Sequence, residues 1–137
     1  MQFDTKIALI IRNDLAAWQK LNVAAFLASG IAAAFPECIG APYEDGSATN
    51  YHALIGQPLL IYGGPDRAAL ARALDRALAR EVKPALYTED MFTTTHDEAN
   101  RAAVKAVARM DLNLVGLAFR AERKVVDKIV DGLKFHA

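Results

Sequence analysis

The distribution of apolar and polar residues divides the chain into alternating strands and helices. Residues 6–12 (KIALIIR) form a continuous aliphatic run, which is typical of a strand covered on both faces. From about Ala16 to Phe35, apolar residues recur at spacings of three to five, which predicts a helix buried on most of its faces. The same criteria predict strands at 58–62, 85–88 and 113–120, and helices at about 66–82, 96–109 and 122–133.

This alternation of strands and helices predicts an α/β fold with a mostly parallel sheet and helices packed on its faces. Between the first helix and the second strand, residues 36–50 are rich in Pro, Gly and polar residues and predict a long loop, with a short edge strand near 51–55. Thr95 and Glu98 have the spacing of a capping box, with the inner face of that helix extending to Met110.

Composition narrows the class of protein. With 137 residues, 53% of them hydrophobic, residues 1–137 are expected to form a single domain that folds without disulfides. Sixteen basic residues balance sixteen acidic ones, which argues against tRNA as a partner without excluding it. With Cys38 as the only cysteine, no recognisable leader and no apolar stretch of membrane-spanning length, we expect a cytoplasmic protein without a membrane segment.

Four stretches resemble the type 2 peptidyl-tRNA hydrolases. They are KIALIIRNDL at 6–15, NVAAFLASGIAAAF at 22–35, the strand, helix and short strand of 57–90, and VDKIVDGLKF at 126–135. The further features look like an uncharacterised bacterial branch of that superfamily, domain of unknown function 2000. The resemblance implies a three-layer α/β/α sandwich, a four-stranded mixed sheet with one antiparallel strand, and a homodimer.

The lysine motif of those hydrolases is degenerate in this chain. The family places Gly-Lys-Gly-Lys before its first helix, whereas residues 19–22 read Gln-Lys-Leu-Asn. Lys20 matches the first lysine, and Asn22 replaces the second. Both glycines, which allow close backbone approach, are lost. The resemblance therefore implies Lys20 as a catalytic cation in a remodelled pocket where Asn22 is a candidate ligand-binding residue.

A second motif of the family is better kept. Asp90 and Thr94 match its Asp-x-x-x-Thr spacing, while Glu89 and Thr93 match it equally well one residue earlier, and the sequence does not choose between them. The resemblance implies that Asp90 and Thr94 position or deprotonate a water molecule. The predicted helix at 96–109 is an addition to the family's pattern.

Further candidates lie at the ends of predicted elements. The hydroxyls and backbone N–H groups of Thr93, Thr95 and His96 could hold a carboxylate, or could simply cap the helix that starts there. Asn13 and Asp14 follow the first strand at the sheet edge where open α/β folds bind ligands, although turns also favour these residues.

The lone cysteine and the histidines offer little further chemistry. Cys38 is a candidate nucleophile only if His52 or His96 lies beside it, and is otherwise an inert thiol. His52, His96 and Asp97 lack the spacing of a metal site, so we predict no metal and no cofactor.

Two functions follow from these residues. The retained scaffold with its degenerate motif favours a protein that binds a small polar ligand. The alternative is a hydrolase of peptidyl-tRNA or of N-acyl-aminoacyl esters, with Lys20, Asp90 and Thr94 as its catalytic residues.

Overall fold

The computed structural model describes residues 3–137. Within that range the strands are β1 (Thr5–Arg12), β2 (Tyr43–Glu44), β3 (Asn50–Tyr51), β4 (Leu59–Gly64), β5 (Ala85–Thr88), β6 (Leu114–Glu122) and β7 (Lys134–Phe135). The α-helices are α1 (Ala17–Ala34), α2 (Arg67–Ala79), α3 (Asp97–Lys105) and α4 (Arg123–Ile129). Five strands form the central sheet in the order β5, β6, β1, β4, β7, while β2 and β3 pair separately.

The central sheet is mixed, which confirms an α/β class but corrects two expectations. It has five strands and not four, because the chain turns back after α4 and adds β7 beside β4. It is also not mostly parallel: β1 runs parallel to β4, whereas β6 runs antiparallel to both of its neighbours, β1 and β5. A continuous aliphatic run indicates burial on both faces, but it carries no information about strand direction.

Helices cover both faces of the sheet, so the fold has three layers. Successive side chains of β1 point to opposite faces. Ile7, Leu9 and Ile11 pack with Val23 and Leu27 of α1 on one side. On the other side, alternate residues of β1 pack with α2 and α4. Burial on both faces of β1 accounts for the unbroken aliphatic sequence from which this strand was predicted.

Helix α1 is buried along one stripe only, so the expectation that most of its faces are covered is wrong. Val23, Leu27 and Ile31 face the sheet. Trp18 and Leu21 lie on the outer side, and Phe26 lies on the flank towards β5; these three side chains are 59%, 73% and 59% exposed. A helix on a sheet contacts it through a single stripe, and no segment within residues 3–137 covers the rest. None of the helices in the described range is long and apolar enough to cross a bilayer.

The ends of the last two α-helices also differ from expectation. His96, and not Thr95, is the N-cap of α3, because its Nδ1 accepts a hydrogen bond from the backbone N–H of Ala99 at 3.2 Å. The helix ends at Lys105, which leaves Met110 85% exposed where an inner-face residue was predicted. The closing helix α4 ends at Ile129, four residues before the predicted boundary at Leu133.

The long loop predicted between α1 and β4 is a β-hairpin, which we call the arm and define as residues 39–55. Near its base, Ile39 pairs with Ile55, and further out β2 pairs with β3 through Tyr43 and Tyr51. The turn at its tip is closed by Asp45, whose carboxylate accepts hydrogen bonds from two backbone N–H groups of the turn. Residues 39–52 are all exposed, so most of the arm extends away from the sheet and helices.

Candidate functional site

A pocket of about 430 Å³ opens beside the edge strand β5, between α1 and the beginning of α3. That volume lies in the range of small-molecule sites. Helix α1 forms one wall, the turn at 89–92 and the start of α3 form the opposite wall, and β5 forms the floor. The lining residues are Asn22, Phe26, Leu27, Ala85, Leu86, Tyr87, Met91, Phe92, Thr94, Thr95, His96, Asp97 and Asn100.

Aromatic rings form one side of this pocket. The centroid of the Tyr87 ring lies 5.2 Å from that of Phe92 and 6.2 Å from that of Phe26. Trp18 extends the cluster outward by an edge-to-face contact with Phe92 at 5.7 Å. Burial raises the pKa of the Tyr87 phenol, so this residue is neutral at physiological pH. These rings provide a rigid apolar surface on which a flat group can pack.

Polar groups form the other side, at the start of α3. Because Nδ1 of His96 accepts the capping hydrogen bond, the proton of the neutral imidazole lies on Nε2, which is left to donate. Thr94 Oγ1 lies within hydrogen-bond distance of the Met91 carbonyl oxygen, at 2.9 Å, and of Asn100 Oδ1. Asp97 forms an ion pair with Arg101 one turn along the helix. The carboxylate at this wall is therefore already paired, and neutral donors and acceptors dominate the pocket.

Lys20, Asp90 and Thr94 do not line one cavity. Lys20 lies in a groove of about 340 Å³ on the other flank of α1, where it accompanies Leu21, Ile61 and His136. Thr94 and Asn22 line the pocket, and Asp90 is exposed outside both cavities.

The alternative pair, Glu89 and Thr93, also lies outside the pocket. The carboxylate of Glu89 accepts a hydrogen bond from Asn113 Nδ2. Thr93 Oγ1 donates to the backbone carbonyl of Asp90 at 3.0 Å. Both groups thus stabilise the turn at 89–92. Of the residues proposed from the sequence around this turn, Thr94, Thr95 and His96 line the pocket.

Asn13 and Asp14 belong to a separate polar cluster at the carboxyl end of β1. Asp14 pairs with Arg12 at 2.7 Å, and Arg12 Nη1 donates to Asn113 Oδ1 at 2.9 Å. The backbone N–H of Asn13 donates to the Gly64 carbonyl at 2.9 Å. Its side chain occupies the space above Gly63, where a Cβ atom would lie 2.3 Å from Asn13 Oδ1. This cluster holds the ends of β1, β4 and β6 together and does not reach the pocket lining.

The remaining sequence candidates lie apart from the pocket. Cys38 is a buried free thiol packed in the core between α1 and the sheet. His52 is exposed on the arm. Across residues 3–137, no group of three His, Cys, Asp or Glu side chains is arranged to hold a metal ion.

Comparison with known proteins places the chain in a family. Residues 5–137 match the family described as protein of unknown function DUF2000. The chain belongs to the DUF2000 family. This confirms the DUF2000 assignment made from the sequence. The comparison with curated proteins gives no match.

A solved structure shows the same fold throughout. This DUF2000 chain is 49% identical to the protein of unknown function Atu0240 from Agrobacterium tumefaciens strain C58. The likeness covers 99% of this chain and 100% of that one, with a TM-score of 0.96. The backbone fold is therefore shared along the whole length of the two chains.

Several pocket residues were not predicted from the sequence. Phe26 was taken for one of the apolar residues of a helix buried on most of its faces, and Tyr87 and Phe92 carried no motif. Asn100 lies four residues after His96, which places both on one face of α3. This spacing is the one sequence signal that could have added Asn100 to the candidates. The aromatic residues come together only because α1 crosses the sheet beside β5.

Proposed function

We propose that this DUF2000 protein binds a small polar ligand in the pocket between α1, β5 and α3. One observation carries the proposal: aromatic rings and uncharged polar groups line the same cavity of about 430 Å³. Ligand sites combine a mainly apolar surface with a few convergent hydrogen-bonding groups in this way. Asn22, Thr95 and His96, named from sequence as ligand-binding residues, supply those groups.

The chemistry of the walls favours a ligand with a flat ring and an uncharged polar edge. Phe26 and Phe92 offer ring surfaces, and the amides of Asn22 and Asn100 can each donate and accept hydrogen bonds. Among the lining residues within 3–137 there is no Lys or Arg, so a phosphate would meet no positive side chain. Nucleobases, nucleosides and aromatic amides fit these requirements better than nucleotides do.

Hydrolysis of peptidyl-tRNA or of an N-acyl-aminoacyl ester is not part of this proposal. Lys20 and Thr94 line different cavities, so the cation and the hydroxyl that the resemblance pairs are apart. The relation to type 2 peptidyl-tRNA hydrolases itself stays a prediction, and tRNA remains a disfavoured partner.

Thermal-shift screening followed by calorimetric titration tests the proposal. Nucleobases, nucleosides, nucleotides, amino acids and N-acyl amino acids form the panel, and binding to the folded state raises Tm. We expect the nucleobase, nucleoside or aromatic amide classes to stabilise the protein. If no class raises Tm, the proposal is wrong.

Two substitutions locate the site. We expect Asn22→Ala and His96→Asn each to weaken binding about tenfold, the effect of one lost hydrogen bond. Asparagine is a good N-cap, so His96→Asn removes the imidazole while keeping α3 capped. His52→Asn makes the same change on the arm and should leave affinity unchanged. Parent-like affinity in both pocket variants would place the ligand elsewhere.

A further inference from the structure

We propose that the protein forms a symmetric dimer in which the arm of each copy lies along the outer face of α1 of the other. This inference is independent of the ligand proposal. Two exposed apolar surfaces of the chain, one on the arm and one on α1, have comparable length and complementary charge.

The arm has one apolar face. Ile39 lies opposite Ile55, and Tyr43 lies opposite Tyr51. Four residues separate the two pairs on each strand, so the register is unchanged and all four side chains point to the same side. Ala41 and Ala53 lie between them on that face. An isolated two-stranded hairpin is marginally stable in water, so a bare apolar face on such an arm indicates a surface that packs against something.

The outer face of α1 is the second surface. Trp18 and Leu21 lie on it and are more than half exposed. Beside Leu21 lies the apolar groove of about 340 Å³ that also contains Ile61. A tyrosine ring of an arriving arm has room in such a groove.

The lengths of the two surfaces are comparable. The six residues 39–44, from the arm's base to its turn, span about 20 Å at 3.3 Å per residue. The 18 residues of α1 span about 27 Å at 1.5 Å per residue. The arm can therefore follow about three quarters of the length of the helix.

The area is also sufficient for a stable dimer. Five large side chains supply it: Trp18, Leu21, Ile39, Tyr43 and Tyr51. At roughly 200 Å² for a whole large side chain, their exposed fractions amount to about 550 Å² per copy. Two copies together would bury about 1,100 Å², which is above the roughly 1,000 Å² that a specific interface needs.

Charge decides which surface meets which. The arm carries Glu44 and Asp45 and no Lys or Arg, whereas Lys20 is the only charged residue of α1. Packing arm against arm would bring like charges together, and packing α1 against α1 would do the same with lysines. The exchange of arms instead brings Glu44 of one copy to the helix that carries Lys20 in the other. The same arm-to-helix contact then forms twice, as two-fold symmetry requires.

Solution mass and variant mixing test this dimer. Sedimentation equilibrium of the full chain should give about 30 kDa, twice the 14.9 kDa of one chain. We expect Leu21→Glu and Tyr43→Glu each to weaken the dimer at least about tenfold, since each buries a charge twice. Met110→Glu, the same kind of change at an exposed residue outside both surfaces, should leave the dimer intact. Unfolding curves check that each variant folds. If a glutamate variant does not fold, Leu21→Ser or Tyr43→Ser takes its place in the experiment.

Mixing the two weakened variants separates arm exchange from other dimers. In the mixed pair, the intact arm of the Leu21→Glu copy meets the intact α1 of the Tyr43→Glu copy, so one full contact is restored. Random pairing of an equal mixture would give the mixed dimer at twice the amount of each homodimer, so native mass spectrometry should show the mixed dimer well above that ratio. A monomer in the parent protein, a Met110→Glu variant as weak as the others, or no preference for the mixed dimer would each overturn the proposal.

Discussion

Arg12 binds both carboxylate oxygens of Asp14, with Nε 3.0 Å from Oδ1 and Nη2 2.7 Å from Oδ2. The same guanidinium donates to Asn113 Oδ1, so it connects the end of β1 with the start of β6. The hydrogen bond from Arg12, together with its positive charge, lowers the pKa of Asp14. The pair therefore makes stability depend on pH.

Asp14→Asn should remove that dependence. The pKa of Asp14 is lower in the folded state than in the unfolded state, so the ionised carboxylate stabilises the fold at pH values above the unfolded-state pKa. This stabilisation is lost as the pH falls through the folded-state pKa. Asp14 is more than half exposed, so we expect a loss of about 0.5 kcal/mol in unfolding free energy at pH 7. Urea unfolding of parent and variant at pH 7 and in acid measures it. Asp75→Asn on α2 is the control. If Asp14→Asn lowered the unfolding free energy by the same amount at both pH values, the pair between Arg12 and Asp14 would not be the source of the pH dependence.

Gly116→Ala should destabilise the packing of α1 on the sheet. A Cβ at this position of β6 would lie 2.5 Å from Val23 Cγ1 and 2.9 Å from Leu27 Cδ1, two residues of the buried stripe. Overpacking of this kind costs about 1–3 kcal/mol. Equilibrium unfolding in denaturant gives the value. At Gly46, in the turn of the arm, a Cβ meets nothing within 4 Å, so Gly46→Ala should change stability by less than about 0.5 kcal/mol.

Asp66→Ala should weaken the start of α2. The Asp66 carboxylate accepts a hydrogen bond from the Ala69 N–H at 2.8 Å and is the N-cap of the helix. Loss of such a cap costs about 1 kcal/mol. Thermal unfolding should show a lower Tm for Asp66→Ala than for Asp75→Ala, which removes a carboxylate from the middle of the same helix. Equal Tm values for the two variants would show that the cap contributes nothing.

Tyr51→Phe should raise the pKa of Asp45 towards its usual range. The hydrogen bond from the Tyr51 hydroxyl to Asp45 Oδ2, at 2.7 Å, is the first cause of the lowered pKa of that carboxyl group. A carbon-detected NMR titration of the Asp45 carboxyl follows the change. Tyr43→Phe removes the hydroxyl of the residue opposite Tyr51 and should not change the pKa. A titration of Asp45 identical in parent and Tyr51→Phe would contradict the contact.

The positions of the strands and helices could be predicted because burial leaves a local pattern. The third predicted strand, at 85–88, coincides with β5, and residues 6–12 lie within β1. The same reasoning was wrong for α1, whose alanine-rich sequence suggested burial on most faces. Apolar residues are favoured in the core, but more than half of the surface of a typical folded protein is still apolar, so an apolar pattern alone does not establish burial.

The candidate site was predicted only in part. Thr95 and His96 were identified because helix starts favour such residues, and Thr94 and Asn22 were identified through family motifs. Lys20, Asp90 and Thr94 do not line one cavity, because Lys20 lies on the flank of α1 that faces away from the pocket. Which side of a helix faces which neighbour depends on packing angles that spacing does not specify.

The sequence by itself determined the elements, the family and the hydrogen-bonding groups at the start of α3, because each depends on residues close together in the chain. Tertiary structure decided the direction of β6, the addition of β7 and the meeting of Phe26 with Tyr87 beside the pocket. It also decided that residues 39–55 form a paired arm and not a loop. Except for the arm, which is a local hairpin, each of these features joins segments far apart in sequence, and the free energy of such contacts leaves no local pattern.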